Sequence, residues 1–419
     1  MEEKSISRKV DGNGPSTLDN AAQAPVTDRQ YYIDWIRVTA FFILIFFHCA
    51  MPFVGFYHWE VRNAESSVWL DRLVIWLHQW RLPLLFFISG TGIYFSLRKR
   101  SVAKFAGERI VRLLIPLLFA MFFLTPLQVY FEKMQKGLIS GSYWNFYPSV
   151  WDFVPYPDGT LHWSHLWYVV YLFVFCILLL PLFALLKIKI LAKAKENLSL
   201  FLSRPYILPF LFIPLMLLFY KFYIDYPEQA SLLDDWMLFL FSLTMLLYGF
   251  FMGSVRAFWL TCEKYRQLFL GIAGVCMIAL FFGYWWTIAL PKQQDQRLYM
   301  YGFLNSLNIW MIVLAACGYA KKYLNFTNSF LKSANKAVYP FYIIHQTVIV
   351  AVGYYLVQLD LPIVVKLPLL ILISFSMIYG IYHFLIKPFV ITRFLFGMRM
   401  EKKKKEKKPD EELAIGAVI

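Results

Sequence analysis

Ten apolar runs separated by short polar stretches divide this chain, near residues 33–54, 73–97, 110–130, 165–186, 206–223, 236–255, 267–290, 301–320, 338–357 and 362–387. Each is close to the roughly 20 residues that a helix needs to cross the hydrocarbon layer. Several contain proline (Pro83, Pro116, Pro126, Pro181, Pro209, Pro214), which helix bundles in lipid tolerate because neighbouring groups satisfy the freed backbone. The pattern predicts an all-α fold, a polytopic membrane protein of about ten transmembrane helices. Residues 1–30 are polar and are expected to form a disordered cytoplasmic lead-in without a signal peptide. Residues 31–397 hold every span, and 398–419 form a basic tail. No internal repeat and no soluble domain is visible.

Composition sharpens the picture. The 419 residues are 59% hydrophobic and 20% aromatic, with only 16% charged. A soluble protein cannot hide that much apolar surface. The net charge of +15 resides in short loops and one tail, so it is no argument for nucleic-acid binding. With the N-terminus inside, the loops at 98–112, 187–205, 256–266 and 321–337 carry 18 Lys and Arg, against 7 in the opposite loops. The even number of helices returns the C-terminus to the same side, where KKKKEKK occupies 402–408. The positive-inside rule therefore predicts cytoplasmic N- and C-termini in the cell inner (plasma) membrane. The tail reads as a solvated topogenic anchor or as a segment lying on anionic lipid. Cys49, Cys176, Cys262, Cys276 and Cys317 form no CxxC pair and are expected to pack in the core, with neither a disulfide framework nor a metal site.

Against this apolar background, ionisable residues inside the runs stand out, because such groups are costly in lipid and should face the bundle interior. The first run contains DWIRVTAFFILIFFHCAMP at 34–52. Arg37 and His48 are eleven residues apart, within roughly 20° of three full turns, so they share one helix face about 16 Å apart. Asp34, one turn from Arg37, is expected to pair with it. In the second run, HQWRLPLLFFISG places His78 and Arg81 on one face near the level of His48. Taken alone, Arg81 also suits a snorkelling anchor. Ser89, Gly90 and Gly92 suit close helix approach. Arg109 and Arg112 open the third run at the depth of Arg37, and three guanidinium groups at one depth could hold phosphates. The longest outer loop, 131–164, is rich in Tyr, Trp and Phe, as an interfacial belt or a sugar-stacking surface would be. His165 enters the fourth run, at the outer depth of His48 and His78. The middle runs look like scaffold. His345, about a third of the way into the ninth run from the cytoplasm, suits a hydrogen-bonded core histidine as well as a functional one. His58 and His383 lie near interfaces and receive no role.

These residues carry a family likeness. The chain resembles the integral-membrane acyltransferase 3 family over roughly residues 31–390. The first-helix pair of a basic residue and a histidine is Arg37 and His48. The FFxxSG pattern is Phe86, Phe87, Ser89 and Gly90, and the basic entry to the third helix is Arg109, Arg112 and Pro116. His165, Leu166 and Trp167 match the fourth-helix run, and 339–345, ending at His345, match a late one. The runs at 57–70 and 77–90 are similar to the glucans biosynthesis protein C-like branch, associated with adding succinyl groups to periplasmic glucans.

The resemblance implies a membrane-bound O-acyltransferase. It would move a succinyl or acetyl group from cytoplasmic acyl-CoA to a hydroxyl of an extracytoplasmic glycan or polysaccharide. Arg37, Arg109 and Arg112 would then hold the CoA phosphates, and its long arm would thread between helices one to four. His48 would act as general base, and Arg81 would stabilise the oxyanion or an acidic acyl group. His78 and His165 would orient the acceptor. Trp35 stands where the family commonly has smaller residues and is expected to narrow the groove. The competing reading is a transporter or flippase with a buried His/Arg pathway. The lack of a repeat and the crowding of ionisable groups into the first four runs weigh against it.

Overall fold

The computed structural model describes residues 30–226, 231–232 and 234–399. The expected lead-in before residue 30 and the basic run at 402–408 lie outside the described residues. Among the described residues, seven helices are long and apolar enough to span a membrane, and three shorter apolar helices join them. Together they correspond to the ten predicted runs. In chain order we label α1 Tyr31–Phe53, α2 Val68–Arg98, α3 Val102–Gln135, α4 Ser164–Leu178, α5 Lys189–Leu202, α6 Leu208–Phe222, α7 Trp236–Met252, α8 Arg256–Trp285, α9 Gln296–Tyr323, α10 Ser329–Leu356 and α11 Ile363–Ile386. Among the described residues there is no strand, only an isolated bridge between Pro155 and Leu161.

Helix starts follow local chemistry more than hydropathy. Ser67, Ser101, Asp235, Asp295 and Asn328 each accept a hydrogen bond from the backbone N–H three residues on, satisfying a donor that the first turn leaves open. The stretches 256–266 and 329–337, expected as loops, are the first turns of α8 and α10; Asn328 caps the second, whereas α8 starts after Val255 without a side-chain cap. The expected loop 187–205 holds the amphipathic helix α5, whose Lys189 and Lys193 are exposed while Lys195 lies over the Tyr94 ring.

The helices α1, α2, α9 and α10 are mostly buried, whereas α3, α8 and α11 expose most of their apolar surface. That is the division between core helices and a lipid-facing ring. α1 is the hub, packed against α2, α9, α10 and α11. α2 and α7 approach closely: a Cβ on Gly90 would lie 1.9 Å from the Leu246 carbonyl oxygen, and one on Gly249 1.7 Å from that of Phe87. Small residues permit such contact in lipid, where packing replaces the hydrophobic drive. All five cysteines are buried and free.

Candidate active site

Near the Arg37 end of α1, a cavity of about 280 Å³ is lined by Arg37, Arg109 and Arg112 together with Ser89, Tyr168 and Tyr339. Arg37 Nη2 donates to Asp34 Oδ1 at 2.8 Å and to Asn335 Oδ1 at 2.5 Å, which orients the guanidinium. Arg109 and Arg112 flank and occupy a π-helical turn, Ile110–Leu114; such turns are frequent at functional sites. Arg109 lies over the Phe105 ring at 4.7 Å, and Arg112 Nε donates to the Gly397 carbonyl at 3.4 Å. Ser89, expected to ease packing or to support the site, lines the cavity and bonds Tyr168 Oη at 2.6 Å. Buried Arg109 Nε and Tyr339 Oη have no partner among the described residues. Unsatisfied donors at a basic cavity suit a ligand with several anionic oxygens.

Three turns along α1, His48 meets His345: His48 Nδ1 lies 2.7 Å from His345 Nε2, with the rings stacked. His345 Nδ1 lies 2.5 Å from the Tyr342 carbonyl oxygen. A carbonyl only accepts, so Nδ1 of His345 carries the hydrogen. In the uncharged pair His345 Nε2 must then accept from His48 Nδ1–H. That leaves the lone pair of His48 on Nε2, ready to take a proton. The hydropathy pattern misplaced His345. α10 runs Ser329–Leu356, so His345 lies just past its midpoint, and the 2.7 Å contact sets it level with His48. His165 Nε2 lies 3.2 Å from the carbonyls of Tyr342 and Ile343, and the His165 ring meets His345 edge-on.

Arg81, 3% exposed, lies 3.4 Å above the Phe47 ring, and its Nη2 donates to His78 Nδ1 at 3.4 Å. Its burial removes the snorkelling alternative, because a snorkelling head group would reach water. His78 faces a cavity of about 500 Å³ whose far wall is built by α6, α7 and α9, with buried Asn305 among its lining. The middle helices, expected to be scaffold, thus also line a cavity. Between the arginine cavity and the histidines stands an aromatic layer. Phe41 and Tyr168, which line that cavity, pack on Tyr342 at 5.4 and 6.0 Å. That layer joins α10 to α1 and α4. Trp35 takes no part in it: its ring packs on Phe326 and Phe330 and its Nε1 donates to the Phe326 carbonyl.

The family model of the acyltransferase domain, of the acyltransferase 3 type, matches residues 30–399. The chain belongs to the acyltransferase 3 family. The chain is 31% identical over 149 residues to glucans biosynthesis protein C of Escherichia coli K12, and 30% identical over the same length to that of Escherichia coli O1:K1. Those matches cover 35% of this chain and only 37% of each relative. No solved structure matches.

Hydropathy alone missed one cluster, next to the histidine pair. Trp59 stacks on His48 at 5.3 Å. The adjoining Glu60 accepts from Gln346 Nε2 at 2.7 Å and from Ser164 Oγ at 3.4 Å. Burial of its carboxyl, opposed by a bond to its own backbone N–H, pushes it up to about 7. Gln346 and Ser164 also bond Gln128. His58, which had no assigned role, opens onto this cluster; burial lowers its pKa and nearby Glu132 resists the shift. The run at 57–70 that carried the branch likeness contains both Trp59 and Glu60.

Proposed function

We propose that this acyltransferase moves a succinyl or acetyl group from cytoplasmic acyl-CoA to a hydroxyl of an extracytoplasmic glycan. The observation that carries the proposal is a single helix face. It presents a three-arginine cavity at one end and, about 16 Å along by helix rise, an imidazole with its basic nitrogen free. Arg37, Arg109 and Arg112 hold the donor phosphates. A cavity of about 280 Å³ takes part of the donor, with the rest at the cytoplasmic surface. The arm passes the layer of Phe41, Tyr168 and Tyr342 as those rings part, bringing the thioester to His48. The relatives' name ties them to glucans, which supports a glucan acceptor. The loop charges support cytoplasmic termini in the inner membrane.

The chemistry balances without a metal or a redox partner. His48 Nε2 takes the acceptor hydroxyl proton as that oxygen bonds to the thioester carbonyl carbon. Arg81 stabilises the oxyanion. Collapse breaks the carbon–sulfur bond, and the departing thiolate takes the proton from His48, leaving an ester and free CoA. His345 positions His48 and holds its tautomer. His78 and His165 orient the acceptor side.

The test is acyl exchange by full-length protein in lipid nanodiscs, with acetyl-CoA or succinyl-CoA and glucan oligosaccharides. His48→Ala should lower ester formation by about 10²–10⁴-fold while the protein still inserts and binds donor. Arg37→Ala should weaken donor binding by about tenfold or more, as loss of a charge-assisted bond does. Wild-type ester yield from His48→Ala, by mass spectrometry, would reject the assignment. So would equal donor affinity in both variants. Flux of unmodified glycan without ester formation would favour transport instead.

A further inference from the structure

Beside the histidine pair lies a second cavity of about 80 Å³, lined by Glu60, Gln128, Glu132, Tyr156, His162 and Ser164, with His58 at its rim. Nothing in the acyl-transfer steps uses it. Glu132 is 2% exposed. Its Oε1 accepts from Tyr156 Oη at 2.9 Å and from Lys136 Nζ at 2.6 Å. The second oxygens, Oε2 of Glu60 and Oε2 of Glu132, are occluded and have no partner among the described residues. An ionised carboxylate oxygen only accepts, and a buried unpartnered one is costly; the Glu60 carboxyl, pushed up to about 7, offers an acceptor above that pH and an O–H donor below it. Two of them on one small cavity call for a ligand that brings donors.

The loop that carries Glu60 is held firmly. Asp71 accepts from the N–H groups of Gly55 and Phe56 at 3.0 Å. Gln135 exchanges two hydrogen bonds with the Arg62 backbone. Buried Lys366 donates to Asn63 Oδ1 at 2.8 Å. The cavity is thus pre-formed. It is also fixed relative to the reaction centre, because Trp59 stacks on His48 and Gln346 follows His345 in α10.

We infer that this cavity is a sugar-hydroxyl subsite for the acceptor glycan, in which Glu60 and Glu132 accept hydrogen bonds from hydroxyls near the one that is acylated. The inference rests on the acceptor being a glycan, as proposed above. The volume has room for two or three waters at about 30 Å³ each, so it admits a hydroxymethyl arm or a pair of hydroxyls and excludes a whole ring. The ring stays at the rim, where the His58 side chain is 65% exposed. Ser164, Gln128 and Tyr156 supply the mixed donors and acceptors that neutral polyols match. Burial lowers the pKa of His162 to about 4, so it adds no positive charge at neutral pH.

The experiment uses full-length protein in nanodiscs and two readouts. The first is the acceptor KM for a glucan oligosaccharide, measured beside kcat and donor affinity. Glu60→Gln and Glu132→Gln each replace an acceptor oxygen by a donor. They should raise the acceptor KM by about tenfold and leave acyl-CoA binding unchanged. The second readout is oligosaccharide binding without any donor, followed by tryptophan fluorescence. It answers even if the wild type forms no ester, which would sink only the acyl-transfer reading. Unchanged oligosaccharide affinity in folded Glu60→Gln overturns the subsite. So does wild-type protein that binds sodium, potassium or calcium ions there and no oligosaccharide. Should Glu60→Gln fail to fold, His58→Ala decides: a drop in affinity supports the subsite and an unchanged value overturns it.

Discussion

His345 donates its Nδ1 hydrogen to the Tyr342 carbonyl and faces His48 with Nε2. The consequence runs through two rings: the backbone carbonyl sets one tautomer, and that tautomer sets the next. Remove the His345 ring and His48 is free to carry its hydrogen on either nitrogen and to rotate. A base with the wrong nitrogen protonated cannot take the acceptor proton, so the loss belongs to turnover and not to binding. His345→Ala should therefore lower kcat by about 10²-fold with donor affinity unchanged. His345→Gln, whose side-chain oxygen can accept from His48 Nδ1–H, should recover part of that loss. Equal kcat in His345→Ala and wild type would show that His48 needs no orienting partner. His345 was visible in the sequence as an intramembrane ionisable residue. Its partner was not, because the two lie 297 residues apart and only the packing of α10 against α1 brings them together.

Helix positions tell a similar story among the elements. The apolar runs located every span, since hydropathy over about 20 residues is a strong signal. They misjudged where α8 and α10 begin, because the polar first turns of both helices lie outside the apolar windows. The glycines separate packing from cavity lining. Gly90 sits where α2 meets the backbone of α7, whereas a Cβ on Gly92 would meet nothing within 4 Å. Gly90→Ala should cost at least about 1–3 kcal/mol, as overpacking does, and the backbone of α7 has no rotamer by which to yield. Gly92→Ala should be nearly neutral. Scanning fluorimetry of both variants in detergent checks the contrast. A Gly90→Ala protein that melts with wild type would mean that α2 and α7 can separate at no cost.

Across the whole molecule, the sequence marked the first-helix pair and the arginines of the third helix because charge in lipid is rare. The carboxylates Glu60 and Glu132 escaped notice: one lies in a loop, the other near a helix end, and neither position is unusual for a charged residue. Only the fold brings Glu60 to Gln346 and Ser164 and sets Glu132 on the same cavity. The same fold sets the arginine cavity and the carboxylate cavity at opposite ends of α1, which is what transfer between two compartments requires. That arrangement has a sidedness that can be measured. All five native cysteines are buried, so they should give little background with a membrane-impermeant maleimide. Lys104 and Ser140 are exposed and lie near the arginine and carboxylate ends respectively. Lys104→Cys should react only after the cells are opened. Ser140→Cys should react in spheroplasts that remain sealed. The reverse pattern would place the arginines away from cytoplasmic acyl-CoA, and the donor route along α1 would have to be abandoned.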